Sequence, residues 1–593
     1  MSQVPPRETP RAPTDWTLLR KAWVFLRPDT PLYAVAFLCA PASALLVIAQ
    51  PYLLGRAIDD YIIPGDLEGI HQLALIFLGA VVAAFVLEAV YTLSISYGAL
   101  ASIARMRQAV YRHTLAQSQA FFDVRPTGRL LTRATSDIEA LGETLTAGAM
   151  TIVLDALLVV GILIAMLSLE PRLTAIMLLA APPVALLLDR IRRVLRRLYL
   201  EVREGLSELN AFTSERLTGL RVVQLYSDEK RAIGAYGERV RRYRNATVRT
   251  NIWDSLMYAI VDGLGSITVA LLLWYGGGDL LEGTLSAGLL VAFIDYTTKL
   301  FRPIREFSAK VAIVQRASAA LEKIFGLLDH DEAITIGQRH LEKPVGDVRI
   351  RDLWFAYGDG PDVIEGVDLD LHPGEVVALV GRTGAGKSTI AKLLTRTYDG
   401  HRGSITLDGV EITDLDSEQV RTVIGMVRQD VQLFPGDVRF NLTLGRDIPD
   451  SVVAQAIQLC HAESVVEKLG GLDGRVAHGG ANLSVGEAQL LSFARTMAHD
   501  PPVVILDEAT ASVDTLTEAQ IQAATHALLE RKTVLVIAHR LSTIMHSDRI
   551  VVLEGGQVVE VGTHAELLER DGRYAVLFHQ QFAEQALERT GTS

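Results

Sequence analysis

The stretch VVALVGRTGAGKST, Val376 to Thr389, joins a buried apolar run to a glycine-rich turn and then to a helical run from Ile390 onward. Gly381, Gly384, Gly386, Lys387, Ser388 and Thr389 match GxxxxGK[ST] in the strand–turn–helix setting that gives this pattern its mechanism. Its glycines let backbone N–H groups ring a row of phosphates, and the helix N-terminus adds its positive end. Thr383 and Ala385 complete the loop. Lys387 offers the phosphates a point charge, and Ser388 offers Mg2+ a hydroxyl. A second apolar run, VVILD, ends in Asp507, placed to hold Mg2+ through water. Glu508 follows at once, where a carboxylate can polarise an attacking water. LVIAHR then brings His539 to the end of a third apolar run, in the place of a γ-phosphate sensor. Together these residues are the parts of ATP hydrolysis.

The surrounding chain must position them. At 593 residues it is long enough for two or more domains. It is 49% hydrophobic with a mean hydropathy of +0.26, too apolar for an ordinary soluble enzyme. The excess lies in the first half; the second half reads as a soluble α/β domain. A net charge of −12, without a basic stripe interleaved with aromatics, argues against nucleic acid as a partner. The two cysteines, Cys39 and Cys460, are far apart and suggest neither a disulfide framework nor a metal site. The polar, proline-rich start lacks the build of a cleavable signal peptide, so residue 1 is expected on the cytoplasmic side.

A bilayer core of ~30 Å needs ~20 apolar residues in a helix. Six segments qualify, at about 32–54, 71–97, 145–169, 172–189, 256–277 and 284–301. Before them, DWTLLRKAWVFLRP alternates apolar residues with Arg20, Lys21 and Arg27, a pattern for a short helix along the membrane surface. The connection at about 55–70 is short and acidic. Those at about 98–144 and 190–254 are long and arginine-rich, which marks them cytoplasmic. They read as helices projecting well beyond the bilayer. The expected organisation is a disordered tail over 1–14, a helical membrane domain over 15–329, a linker over 330–347 and an α/β P-loop ATPase domain over 348–593.

The phosphate loop, LSVGE, VVILDEATASVD and LVIAHR, in this order, resemble the ATPase domain of an ABC transporter. With six spans ahead of them, the chain from about 15 to 580 is similar to an exporter-type half-transporter. The resemblance implies further roles. Tyr357 in LWFAYGDG would stack on adenine, and Gln429 would touch Mg2+ and relay to the membrane domain. Ser512 to Asp514 would form the loop crossing between two ATPase domains. Phe121 to Leu141 resembles the first cytoplasmic coupling segment. Glu215 to Lys230 resembles the second, which in this fold docks on the opposite subunit's ATPase domain.

In the family, each ATP lies between one chain's phosphate loop and the other's signature, usually LSGGQ, so the resemblance implies a dimer. Here Leu483, Ser484 and Gly486 are kept, while Val485 replaces a glycine and Glu487 a glutamine. Val485 brings a branched side chain to a place of close backbone approach. Glu487 is expected to set a negative charge near phosphates. At ~6 Å and an effective dielectric of ~20, that repulsion is roughly 3 kcal/mol. His478 stands where the family's cross-linking loop typically carries glutamate. The resulting expectation is a heterodimeric exporter, paired with a different half-transporter that carries an intact LSGGQ. A homodimer with a variant signature is the alternative.

Glu88, Asp155, Asp262 and Asp295 fall within the expected spans. A charge at mid-bilayer costs ~2.5–3.5 kcal/mol on insertion scales, so such residues face protein or a water-filled cavity. They are candidates for a path favouring cationic, amphipathic small molecules, against the plainer reading that they pair with Arg or Lys. The expected location is the inner or plasma membrane, with a cytoplasmic ATPase domain. A soluble ABC ATPase is set aside by the six spans. A peptidase-bearing exporter is set aside by the few residues before the surface helix. Import of metal–chelator complexes by the same fold stays open.

Overall fold

The computed structural model describes residues 15–581 apart from 331, 335–336, 508–514 and 539–540. It divides into two compact units, Met1–His113 with Gly128–His330, and Thr114–Thr127 with Asp331–Ser593.

The first unit is helical. Among the described residues, four helical stretches are long and apolar enough to cross a membrane: Thr17–Ile62, Leu67–Ala116, Thr127–Leu169 and Glu229–Leu281. The expected segment at 172–189 lies on the helix Pro171–Thr218, and that at 284–301 overlaps the start of the helix Ala287–Leu328. In the latter, Asp295, Lys299 and Arg302 fall close together and dilute the apolar run. At 1.5 Å per residue, the 50-residue helix Leu67–Ala116 is about 75 Å long, more than twice the bilayer core. Its side chains Leu75, Ile76, Leu78, Phe85 and Leu93 are exposed, as suits a lipid-facing surface. The run Thr127–Leu169 contains wide turns at Arg133–Asp137 and Thr144–Gly148, so it is not one regular α-helix.

Close contacts tie these helices together. A Cβ on Gly55 would lie 2.8 Å from the Gly288 carbonyl, so only glycine permits this approach. At the same crossing, Asp59 accepts from Gly288 N at 2.7 Å and from the Ser286 hydroxyl. A carboxylate there complements the positive start of Ala287–Leu328. Tyr296 donates to the Ile48 carbonyl at 2.8 Å within a buried cluster that includes Ile162, Met166, Leu272 and Phe293. The opening amphipathic segment forms the helix Asp15–Leu26, with Leu18 and Ala22 buried one turn apart and Leu19 and Trp23 exposed. Lys21 bonds to Asp329, and Phe25 packs against Phe325.

The second unit is α/β. Strands β1 (Val348–Ala356), β2 (Asp362–Leu371), β4 (Arg402–Leu407) and β5 (Val410–Glu411) make an antiparallel sheet in the order β2-β1-β4-β5. The central sheet runs β12-β11-β3-β10-β9-β6. Its strands are β3 (Val376–Gly381), β6 (Ile424–Val427), β9 (Val503–Asp507), β10 (Thr533–Ile537), β11 (Arg549–Glu554) and β12 (Gln557–Gly562). All neighbours in it are parallel except β11 and β12. Every residue of β3 is buried, which explains its unbroken apolar sequence. A two-stranded ribbon, β7 (Gly436–Asp437) with β8 (Arg475–Val476), lies near the signature.

One assignment differs from expectation. Thr114–Thr127, assigned from sequence to the membrane domain, belongs with the α/β unit. There Phe121 is fully buried, Gln119 N donates to the Thr397 carbonyl at 3.4 Å, and Tyr398 bonds to Asp123. The expected linker is fastened at its end: Asp408 accepts from the N–H groups of Val345, Gly346 and Asp347 at 2.8, 3.0 and 2.8 Å.

Candidate functional site

Strand register brings the hydrolytic parts to one edge. β10 lies between β3 and β9, with Ile537 opposite both Leu379 and Asp507. The phosphate loop and Asp507 therefore leave the sheet at its carboxyl edge, two strands apart, the usual place for a ligand in an open α/β sheet.

The loop is shaped for close backbone approach. Gly386 has φ +101°, and a Cβ there would lie 2.5 Å from Ile364 Cδ1. At Gly381 a Cβ would lie 2.3 Å from the Leu553 carbonyl oxygen of β11. Lys387 is 6% exposed and donates to the carbonyls of Gly381 at 2.6 Å and Arg382 at 3.1 Å. Burial pushes its pKa below the usual lysine value, partly offset by the Asp507 carboxylate. Ser388 is exposed at the start of the helix Lys387–Leu394, whereas Thr389 is buried. Thr383 and Gly384 are exposed on the loop, and Ala385 is buried beneath it.

Tyr357 is held by its neighbours. Its hydroxyl is 3.0 Å from Thr389 Oγ1, and its ring meets Phe355 and Tyr398 edge-on at 5.0 and 5.2 Å. The Lys392 ammonium lies 5.3 Å from the ring centre. The half-buried ring thus stands beside the phosphate loop. Gln429 is exposed just beyond β6. Ser388, Gln429 and Asp507 offer a hydroxyl, an amide oxygen and a carboxylate, a hard oxygen set that fits Mg2+. Glu508, Ser512, Asp514 and His539 lie outside the described residues.

The signature differs from its expected electrostatics. Ser484 caps the helix Val485–His499: its Oγ accepts from Glu487 N at 3.2 Å, and Glu487 Oε2 accepts from Ser484 N at 2.7 Å. This reciprocal capping box was readable in the S-x-x-E spacing. Lys468 Nζ donates to both Glu487 oxygens, at 2.7 and 2.9 Å. Burial opposes ionisation of Glu487, but bonds from Lys468 and Ser484 outweigh it and hold the carboxyl below its usual range. The carboxylate is therefore ionised and already compensated within the chain. Nothing local in the sequence announces Lys468, which is 19 residues away. Gly486 is buried and Leu483 packs on the core, while Val485 is 62% exposed. His478 is exposed in the preceding turn, which Asn482 pins by bonds to Ala477 N and the Arg475 carbonyl, both 2.9 Å.

The acids of the membrane unit separate into kinds. Asp155 pairs with Lys310, and Asp295 pairs with Lys299 at 3.1 Å. Glu88 is exposed on the apolar helix Leu67–Ala116. Asp262 lines a cavity of about 300 Å3 with Ser266, Thr297, Thr298 and Phe301. On the segment expected to be the second coupling segment, the helix Leu220–Leu225 buries Val223 but exposes Val222 and Leu225, with Tyr226 exposed just beyond it.

Comparison with known proteins agrees with this organisation. A family model described as the ABC transporter transmembrane region matches residues 33–304, and one described as ABC transporter matches residues 364–511. An uncharacterized ABC transporter ATP-binding protein of Bacillus subtilis, YfiC, is 32% identical over 95% of this chain and 94% of its own. An ATP-dependent lipid A-core flippase of Thiobacillus denitrificans is 31% identical over 97% of this chain and 100% of its own. A probable multidrug resistance ABC transporter ATP-binding/permease protein of Bacillus subtilis, YheH, is 34% identical over 81% of this chain and 72% of its own.

Proposed function

Because the chain belongs to the ABC transporter family, with an exporter-type membrane region fused to its ATPase, we propose that it exports amphipathic small molecules across the cytoplasmic membrane as half of a two-chain assembly. It is a multi-pass membrane protein that couples ATP hydrolysis to transport. The observation that carries the reading is the union, in one chain, of long apolar helices with a phosphate loop and Asp507 at one sheet edge. Relatives named as a lipid A-core flippase and a probable multidrug resistance transporter make lipids and drugs the substrate classes to test.

In this reading six helices span the bilayer, and the N-terminus and ATPase domain are cytoplasmic. The phosphate loop receives ATP, with Lys387 on its phosphates and Tyr357 beside the base. Mg2+ would be held by Ser388, Gln429 and Asp507 and would neutralise phosphate charge. Glu508 orients the attacking water, and His539 senses the γ-phosphate. A second chain's signature closes the pocket, while Leu483 to Glu487 of this chain close the other. Closure reaches the spans through the cytoplasmic segments, and the exposed Val222, Leu225 and Tyr226 supply an apolar surface for docking on the partner. ATP favours the closed state and hydrolysis releases it, which gives alternating access.

The partner is a different chain with an intact signature. Support comes from Val485, exposed where a glycine is usual, and from His478 in place of a glutamate. One specific observation favours a homodimer instead: Lys468 compensates Glu487, so one reason for two unequal sites is weakened. Purifying the chain alone and with the candidate partner separates the two. The heterodimer predicts full ATPase activity only for the mixture, and full activity with two equivalent occluded nucleotides from this chain alone would overturn it.

A further inference from the structure

The signature turn presents the N-terminus of the helix Val485–His499, whose positive dipole suits an anion. Glu487 stands in its first turn, and a free carboxylate there would oppose an approaching phosphate. It is not free. Lys468 donates to both carboxylate oxygens, and Glu487 Oε2 also accepts from Ser484 N. The carboxylate is thereby folded back along its own helix start and neutralised.

Lys468 can do this because its helix is fixed. Glu463–Leu469 buries Val465 and Val466 in the main core of the α/β unit, and Gly470 ends it with φ +100°. Lys468 falls in the last turn, where a cation also suits the negative end of the helix. The side chains of Lys468 and Glu487 are 53% and 19% exposed. The carboxylate is therefore the more sequestered member, and the lysine reaches it from the solvent side.

We propose that Lys468 is the positioning residue that lets this altered signature face a nucleotide, by holding Glu487 in the cap and cancelling its charge. The inference rests on the reading that the signature closes an ATP pocket in a second chain. On this view the change from glutamine to glutamate is electrostatically silent, because the capping geometry is kept and the added charge is answered by the lysine. The departure left to be felt at the seam is then the bulk of Val485.

The test is equilibrium ATP binding to the complete assembly in nanodiscs, at low and high salt. The variants are Lys468→Met, Lys468→Arg, Glu487→Gln, and Lys468→Met combined with Glu487→Gln. Lys468→Met is expected to weaken the pocket that this signature closes by about tenfold, with the loss shrinking as salt screens the exposed charge. Lys468→Arg should preserve most of the affinity. In the Glu487→Gln background, Lys468→Met should have less than about a twofold effect, because no charge remains to cancel. A lysine needed only for folding would instead give the same loss in both backgrounds at either salt.

Val485→Trp supplies the control, since this exposed side chain can grow without disturbing the core. If it blocks nucleotide occlusion while Lys468→Met acts equally in both backgrounds, or in neither, the role of Lys468 is overturned and the shared pocket stands. If Val485→Trp leaves occlusion unchanged, the shared pocket falls and the role of Lys468 falls with it.

Discussion

Lys310 forms an ion pair with Asp155 between helices Ala287–Leu328 and Ala149–Leu169, and their side chains are only 13% and 19% exposed. An acid that the sequence offers as a substrate contact is thus engaged within the helical unit. Removing one member of a pair this buried leaves a charge without its partner and destabilises by about 3 kcal/mol. Lys310→Met should therefore lower the melting temperature and yield of the assembly, and adding Asp155→Asn should recover part of the loss. Transport of a lipophilic cation, per assembled molecule, should be unchanged in the double variant. Asp262→Asn should reduce it several-fold, because Asp262 faces a cavity. Equal transport by Asp262→Asn and the parent would remove that carboxylate from the substrate path.

Glu508→Gln tests the assignment of the water-orienting group. The amide keeps the shape of the carboxylate but cannot accept the proton of an attacking water, an effect of about 10²- to 10⁴-fold for such catalysis. ATPase turnover should nearly stop while nucleotide is retained after rapid filtration. Near-normal hydrolysis would move the catalytic role elsewhere.

Val485→Gly addresses the signature's bulk. The side chain is exposed, so its removal leaves no cavity, and the loss of helix propensity is at most ~1 kcal/mol. The pocket closed by this signature should bind ATP several-fold more tightly, read by equilibrium binding to the assembled transporter. Unchanged affinity would mean that the valine does not approach the phosphates.

Cys460 reports on the folded α/β unit. Burial pushes its thiol up to about 12, with Glu463 adding to the shift. Thiolate is the reactive form, so at neutral or mildly alkaline pH the folded protein holds almost none at this position. Maleimide should leave Cys460 unmodified until the unit unfolds, when the thiol returns to its ordinary range and becomes accessible. Peptide mapping after labelling distinguishes it from Cys39. Rapid modification of Cys460 at neutral pH in the native protein would contradict this packing.

The phosphate loop was legible because its function depends on local chemistry: an apolar strand, glycines at fixed spacing and a helix start. Gly386 could be assigned from the pattern, and its left-handed φ gives the reason. The span expected on Ala287–Leu328 is less plain, since Asp295, Lys299 and Arg302 interrupt the apolar run and an internal pair offsets part of that charge. Membership of Thr114–Thr127 in the α/β unit depends on tertiary contacts at Thr397 and Tyr398, which no periodicity encodes. The signature was half legible. Its capping box is written in Ser484 and Glu487, whereas the compensating cation comes from a separate helix.

The shared ATP pocket is tested most directly by a cryo-EM map of the closed assembly, trapped with ATP through Glu508→Gln. The expected map has Lys387 and Ser388 on one nucleotide, with a second chain's signature turn lying across it. Ser484 of this chain then lies across the nucleotide held by the second chain's phosphate loop. Nucleotide bound at Lys387 with no signature turn from another subunit over it would contradict the account.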